Sequence, residues 1–202
     1  MNDRPQTPGR QAAQVNHWCR VVMNRSTSAI VSSLRPESLD ALEISGTAWA
    51  GFGFRSYHSV DFPSFDICSQ RLPRTFDLII AEQVFEHIRR PSVAAQNVLA
   101  MLNDGGMFLI TTPFLIKYHP SPSDLWRWTS EGLRALLEDA GFHVLVAEQW
   151  GNRACVAANL DFWPMYDPQR HTLENERDFP LVVWALATRA SSKREMTGDG
   201  SV

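Results

Sequence analysis

Cysteine is scarce in this sequence, with only Cys19, Cys68 and Cys155 in 202 residues. An odd number at wide spacing makes neither a disulfide framework nor a zinc site, so a reducing, cytoplasmic setting is expected. Charge of one sign is equally lacking. Nineteen Lys and Arg stand against 22 Asp and Glu, a formal net charge of -3. Such a balance gives no electrostatic footprint for nucleic acid or an anionic membrane. Long hydrophobic runs are missing too. Stretches such as Phe108 to Ile110 and Leu181 to Ala187 fall far short of the roughly 20 residues that span a bilayer. No internal repeat is visible, and no Gly-x-Gly-x-x-Gly opens a helix after the first strand, which argues against a nicotinamide-dependent oxidoreductase.

What is present is 44% hydrophobic and 10% aromatic residues, too much apolar content for a solvated chain and enough for one domain with a real core. Residues 1–10 carry two prolines and a glycine without an apolar stretch and read as disordered, with no signal core. Residues 191–202 are polar and small, and read as a flexible tail. The domain is expected over 11–190, with N-terminal helices in 11–40 and the core in 41–187.

Val15, Trp18 and Val22 give a helical stripe over Gln11 to Met23. A second helical piece is expected at Ser28 to Leu34, and Pro36-Glu37 suits the first turn of a third. Strands are expected at Ala41 to Ile44, Tyr57 to Val60, Phe76 to Ala81, Met107 to Thr111, His143 to Ala147 and Leu181 to Ala187, with a further one at Phe65 to Cys68. Helices fall at Pro91 to Leu102 and after Thr129, which caps a run carrying Leu133, Leu136, Leu137 and Ala140. Alternating strands and helices mean an α/β fold with a mostly parallel sheet. Ligands of such sheets bind outside the carboxyl ends of the strands, where the strand order reverses. That rule draws attention to the loops after each strand.

The first strand runs into Leu42-Glu43-Ile44-Ser45-Gly46, an acid followed by a glycine that lets backbone approach a ligand closely. Asp61 ends the next strand, where a carboxylate can accept both hydroxyls of a ribose. The same pattern also describes a plain turn followed by a solvated Asp.

Phe76 to His87 (FDLIIAEQVFEH) resembles the fourth-strand signature of class I S-adenosylmethionine-dependent methyltransferases. Met101 to Phe114 (MLNDGGMFLITTPF) is similar to that family's fifth strand and the turn before it. His119 to Thr129 (HPSPSDLWRWT), with Gly132-Leu133 and Ala140-Gly141-Phe142, resembles a branch of the same family. The likeness covers roughly Ala41 to Ala187. It implies a Rossmann-like, seven-stranded, mostly parallel sheet with an antiparallel last strand and helices on both faces.

The resemblance further implies S-adenosyl-L-methionine as cofactor and a small-molecule or saccharide-type methyl acceptor. Glu43 would lie near the methionine amino end, Gly46 beneath its backbone and Asp61 on the ribose, with Ser45 also among the cofactor-binding residues. Glu82 and Gln83 would border the cofactor from the fourth strand. The adenine-side position, where the family often has an acid, is Cys68, with Asp66 two residues earlier. The loop Ser45 to Phe54 also departs from the usual Gly-x-Gly-x-Gly, so the first crossover helix must be very short or absent, with Trp49 or Phe52 filling its place.

His119 has two readings, a base for an acceptor hydroxyl or a residue that orders the loop and lines the pocket. Asp124 is read as pairing with Arg127, His87 as structural, and Trp126 and Trp128 as loop anchors. Glu86, His87 and His119 have no tight ligand spacing, so no metal is expected. The alternative to an enzyme is a non-catalytic methyltransferase-fold binding or assembly module. No nucleic-acid or membrane partner is expected, and a homo-oligomer is left open.

Overall fold

A computed structural model describes residues 16–190. Its elements are α1 (Val21–Ser33), β1 (Asp40–Ile44), β2 (Ser56–Val60), β3 (Phe76–Glu82), α2 (Pro91–Ala100), β4 (Leu102–Pro113), α3 (Ser130–Asp139), β5 (His143–Trp150), α4 (Arg153–Asp161) and β6 (Val182–Thr188). The expected start of the first helix before Asn16 lies outside the described residues, as do residues 1–10 and 191–202. From Val21 to Ser33 the chain is one helix where two pieces were expected. In the gap expected between them, the buried Thr27 returns its hydroxyl to the Met23 carbonyl at 2.9 Å.

The strands form a single sheet in the order β2-β1-β3-β4-β6-β5. All adjacent pairs are parallel except those made by β6, which runs against both β4 and β5. Successive residues point to opposite faces, and the core divides accordingly. Leu42, Ile79, Phe108 and Ile110 pack with Ala94, Val98, Leu133 and Leu137 on one side. Leu78, Ile80 and Leu109 pack with Val31, Trp49 and Phe52 on the other.

The sheet has six strands among the described residues, not seven. The segment expected as a strand at Phe65 to Cys68 is irregular because its backbone is already spoken for. Asp66 accepts the Cys68 amide at 2.8 Å through Oδ1 and the Ser69 hydroxyl through Oδ2 at 3.1 Å. Phe65 N–H turns back to the Asp61 carbonyl at 2.9 Å. An Asp that bonds its own neighbouring backbone competes with ladder formation, and here it wins.

No helix links β1 to β2, as the short loop implied. Trp49 is 0% and Phe52 1% exposed, their rings 5.1 Å apart, and they cover the sheet face that a crossover helix would occupy. The segment after Trp150, unassigned by sequence, holds α4. Its N-cap Asn152 accepts the Cys155 amide at 2.8 Å, and its buried Cys155 joins Trp18, Trp150 and Trp184 in a satellite cluster. No described helix is long and apolar enough to cross a membrane.

Candidate active site

The chain leaves β1 for β2 on one side and returns to β3 on the other, so the strand order reverses at the carboxyl ends of β1 and β3. A cavity of about 370 Å³ lies there. Ile44, Ser45, Val60, Gln83 and Val84 bring the ends of β1, β2 and β3 to it. The irregular segment containing Phe65, Asp66, Ile67 and Cys68 forms a further wall, and Ser121 to Ser123 reach it from the loop after β4.

Ser45 (φ 65) and Gln83 (φ 56) are two of only three described non-glycine residues in the left-handed region, and both line this cavity. Such backbone costs about 1–3 kcal/mol per residue and persists where the surroundings enforce it. Ser45 is pinned by its N–H to Val60 O at 2.7 Å, and Gln83 by its N–H to Thr111 O at 3.0 Å. Gly46 follows at φ 108 and donates its N–H to Asp61 Oδ1 at 2.9 Å. The Asp61 carboxylate thus stands exposed at the rim, with one oxygen fixed.

Of the seven residues assigned to the cofactor, Ser45, Cys68 and Gln83 line the cavity, and Gly46 and Asp61 meet at its edge. Glu43 and Glu82 are placed differently: both grip Trp49. Glu43 accepts the Ala48 and Trp49 amides at 3.0 and 2.9 Å and the Tyr57 hydroxyl at 2.6 Å. Burial pushes its pKa up despite these donors. Glu82 accepts the Trp49 indole N–H at 3.0 Å and pairs with Arg20 at 3.6 Å. Cys68 carries no free amide for an adenine edge, since its N–H is held by Asp66.

His119 sits outside the cavity, in a group that sequence spacing did not reveal. Asp124 pairs with Arg127, as read from sequence, and its Oδ2 also lies 3.2 Å from His119 Nδ1 and accepts the His119 amide at 2.9 Å. The Arg127 hydrogen bond holds Asp124 down to a pKa of about 2. The His119 Nε2 points to Glu86, 4.0 Å away, and His87 Nε2 reaches the same carboxylate oxygen at 3.6 Å. Glu86 is 0% exposed, neither of its oxygens has a hydrogen-bond partner among the described residues, and burial raises its pKa to about 7. Burial also lowers the His119 pKa. His87, taken from sequence as structural, lines the cavity and this group at once. Trp126 anchors the loop as expected, through its indole N–H to Ile88 O at 2.8 Å.

A family profile described as "Methyltransferase domain" matches residues 18–147. No curated protein is detectably similar in sequence. Among solved structures, an S-adenosylmethionine-dependent methyltransferase from Clostridium acetobutylicum is similar with a TM-score of 0.57 at 11% identity, over 86% of this chain and 96% of that one. The Burkholderia thailandensis 1,6-didemethyltoxoflavin-N1-methyltransferase, solved with 1,6-didemethyltoxoflavin and S-adenosylhomocysteine, gives 0.56 at 15% identity over 83% and 78%. The [4+2]-cyclase SpnF gives 0.55 at 14% identity over 91% and 89%. The same sheet therefore also occurs in a protein named for a different reaction. With the family profile spanning well over half of its length, the chain belongs to the methyltransferase-domain family, and the class I resemblance read from its sequence holds.

Proposed function

We propose that the protein is an S-adenosylmethionine-dependent methyltransferase for a small-molecule or saccharide-type acceptor. The observation that carries this is the pairing of Ser45 and Gln83, two strained residues on adjacent strand ends that bound one cavity at the order reversal. Function-bearing strain concentrates at such places.

The residues fit the cofactor. Asp61, with Oδ1 on the Gly46 amide, has a second oxygen for ribose hydroxyls, and Ile44, Val60, Phe65 and Ile67 offer apolar walls for a base. The bound cofactor supplies an electrophilic methyl group on a sulfonium. Glu43, which sequence placed at the methionine end, acts instead by fixing the Ala48–Trp49 backbone that shapes that end. His119 is the proposed base for an acceptor hydroxyl, with Asp124 and Arg127 orienting its ring. His87 and Ser123 link this group to the cavity. Much of the rate in such a site comes from positioning.

A second reading, a non-catalytic binding or assembly module on this fold, is favoured by one feature. Glu43 and Glu82, the two acids expected at the cationic donor, both serve to hold Trp49.

Titration calorimetry with S-adenosylmethionine and S-adenosylhomocysteine separates the two readings. Binding in the micromolar range that is lost in Asp61→Ala supports the enzyme. Absence of heat for either ligand from a folded protein sinks it.

A further inference from the structure

Glu86 and His87 are chain neighbours and His119 comes from a distant loop, yet the three offer ligand atoms that all lie within 4.8 Å of one another. We propose that they form a site for one first-row divalent cation, of the zinc type, built from two imidazole Nε2 atoms and one carboxylate. Spacing along the chain argued against this; the loop after β4 folding back over the turn after β3 creates it.

Hydrogen-bond partners fix which nitrogen of each imidazole carries its proton. The Nδ1 of His87 meets the Ser123 carbonyl, which can only accept, so this nitrogen carries the hydrogen and Nε2 presents a lone pair. The Nδ1 of His119 faces two acceptors, Asp124 Oδ2 at 3.2 Å and Lys117 O at 3.3 Å. Arg127 Nη2 is more distant at 3.4 Å and already donates to Asp124 at 2.7 Å. The hydrogen of His119 is therefore also on Nδ1, and its Nε2 lone pair faces Glu86 as well. Glu86 is wholly buried, and among the described residues no donor reaches either of its oxygens. Three acceptors thus converge with no donor for Glu86 among the described residues.

A single proton could bridge one pair of these atoms; a cation satisfies all of them. Each imidazole is held from behind by a carbonyl or a carboxylate, the arrangement that fixes the ring and tautomer of a metal-binding histidine. Asp124 is in turn braced by Arg127. The donor set is N₂O, suited to zinc and its neighbours and ill-suited to magnesium or calcium, which favour oxygen alone. Three protein ligands leave a fourth position open.

Binding of the ion stands independently of the methyl-transfer reading, whereas its use in catalysis rests on that reading. There the cation would coordinate the acceptor oxygen and lower its pKa, taking over the work assigned above to His119 as a free base.

The test is metal content and affinity of the tag-free full-length chain. After chelator treatment, the protein is titrated with Zn²⁺ against a competing chromophoric chelator and with Co²⁺ followed by its visible absorption. One equivalent of Zn²⁺ and a cobalt spectrum of a four- or five-coordinate site are expected. Glu86→Gln and His119→Gln should each weaken binding at least tenfold, and Asp124→Asn, which touches no ion, by about 10–100-fold. His58→Ala, at an exposed position on β2, should leave affinity unchanged. Circular dichroism establishes that each variant is folded, and Asp124→Asn keeps the test open should Glu86→Gln fail to fold. No stoichiometric binding by the parent chain, or binding indifferent to both Glu86→Gln and His119→Gln, overturns the site. Zn²⁺ bound without any heat from S-adenosylhomocysteine would leave the metal site standing and remove the methyltransferase reading; the converse would do the reverse.

Discussion

The indole of Trp49 donates its N–H to Oε2 of Glu82 across 3.0 Å, tying the loop after β1 to the end of β3. The same residue's amide is held by Glu43. One buried residue thus joins Glu43 and Glu82 through its amide and its indole, and its ring fills the place of a helix. Trp49→Ala should therefore cost about 3–5 kcal/mol of stability, read as a drop in the denaturant midpoint. Trp49→Phe should retain most of the packing and lose less. Equal losses in the two variants would mean that the hydrogen bond, not the ring, carries the effect.

Glu43 accepts from two amides and one phenol. A glutamine has one acceptor oxygen, and its NH₂ would meet a donor. Glu43→Gln should destabilise by about 1–3 kcal/mol and weaken S-adenosylhomocysteine binding by loosening the Ala48–Trp49 backbone. Calorimetry and chemical unfolding on the same sample test both halves. Unchanged affinity in the destabilised variant would show that the loop's shape does not matter to the ligand.

The cysteines differ in a way that alkylation can read. Burial raises the Cys19 pKa to about 11 and pushes the Cys155 thiol up as well, so at pH 8 both are protonated and enclosed. Cys68 lines the cavity. Iodoacetamide on the native protein should modify Cys68 first, by peptide mass spectrometry, and S-adenosylhomocysteine should slow it. Modification of Cys19 or Cys155 at a similar rate would contradict the packing of α4 and of the Trp18–Arg20 turn before α1.

Gly151 marks a close approach of two chain segments. A Cβ there would lie 2.0 Å from Phe179 O and 2.5 Å from Leu181 N, both backbone atoms. Gly151→Ala must push β6's entry away from β5, and a loss of about 1–3 kcal/mol or more is expected. A thermal melt indistinguishable from the parent chain would refute this contact.

The sheet was legible because Phe76 to Ala81 and Met107 to Thr111 are apolar on both faces, a pattern few other structures share. Thr129 and Gly141 bounded α3 through local chemistry that needs no tertiary context: the Thr129 hydroxyl accepts the Gly132 amide at 3.0 Å, and Gly141 adopts φ 98. The false strand at Phe65 to Cys68 failed on Asp66, whose side chain captured the backbone. The helix α4 was missed although Asn152 stood at its start as a cap. At the site, Ser45, Gly46, Asp61 and Gln83 could be placed because each sits at a strand end. The group around Glu86 could not, since it is made by a loop returning from Leu115–Trp128 onto Phe85–His87, and no spacing encodes such a fold-back. Leu125 and Trp126 amides on the Glu86 carbonyl fasten it there.

Replacing the expected seventh strand by the turns at Phe65 to Cys68 makes β2 one border of the sheet among the described residues. This border is only five residues long and carries serine and histidine, and His58 is capped by Arg74 at 2.7 Å. The opposite border, β5, breaks register between Val144 and Val146. Short, polar or bulged borders resist strand-to-strand docking between molecules. Self-association of this protein would therefore proceed through side-chain surfaces rather than by extending its sheet, and the cavity wall that displaced a strand also guards against fibrous growth.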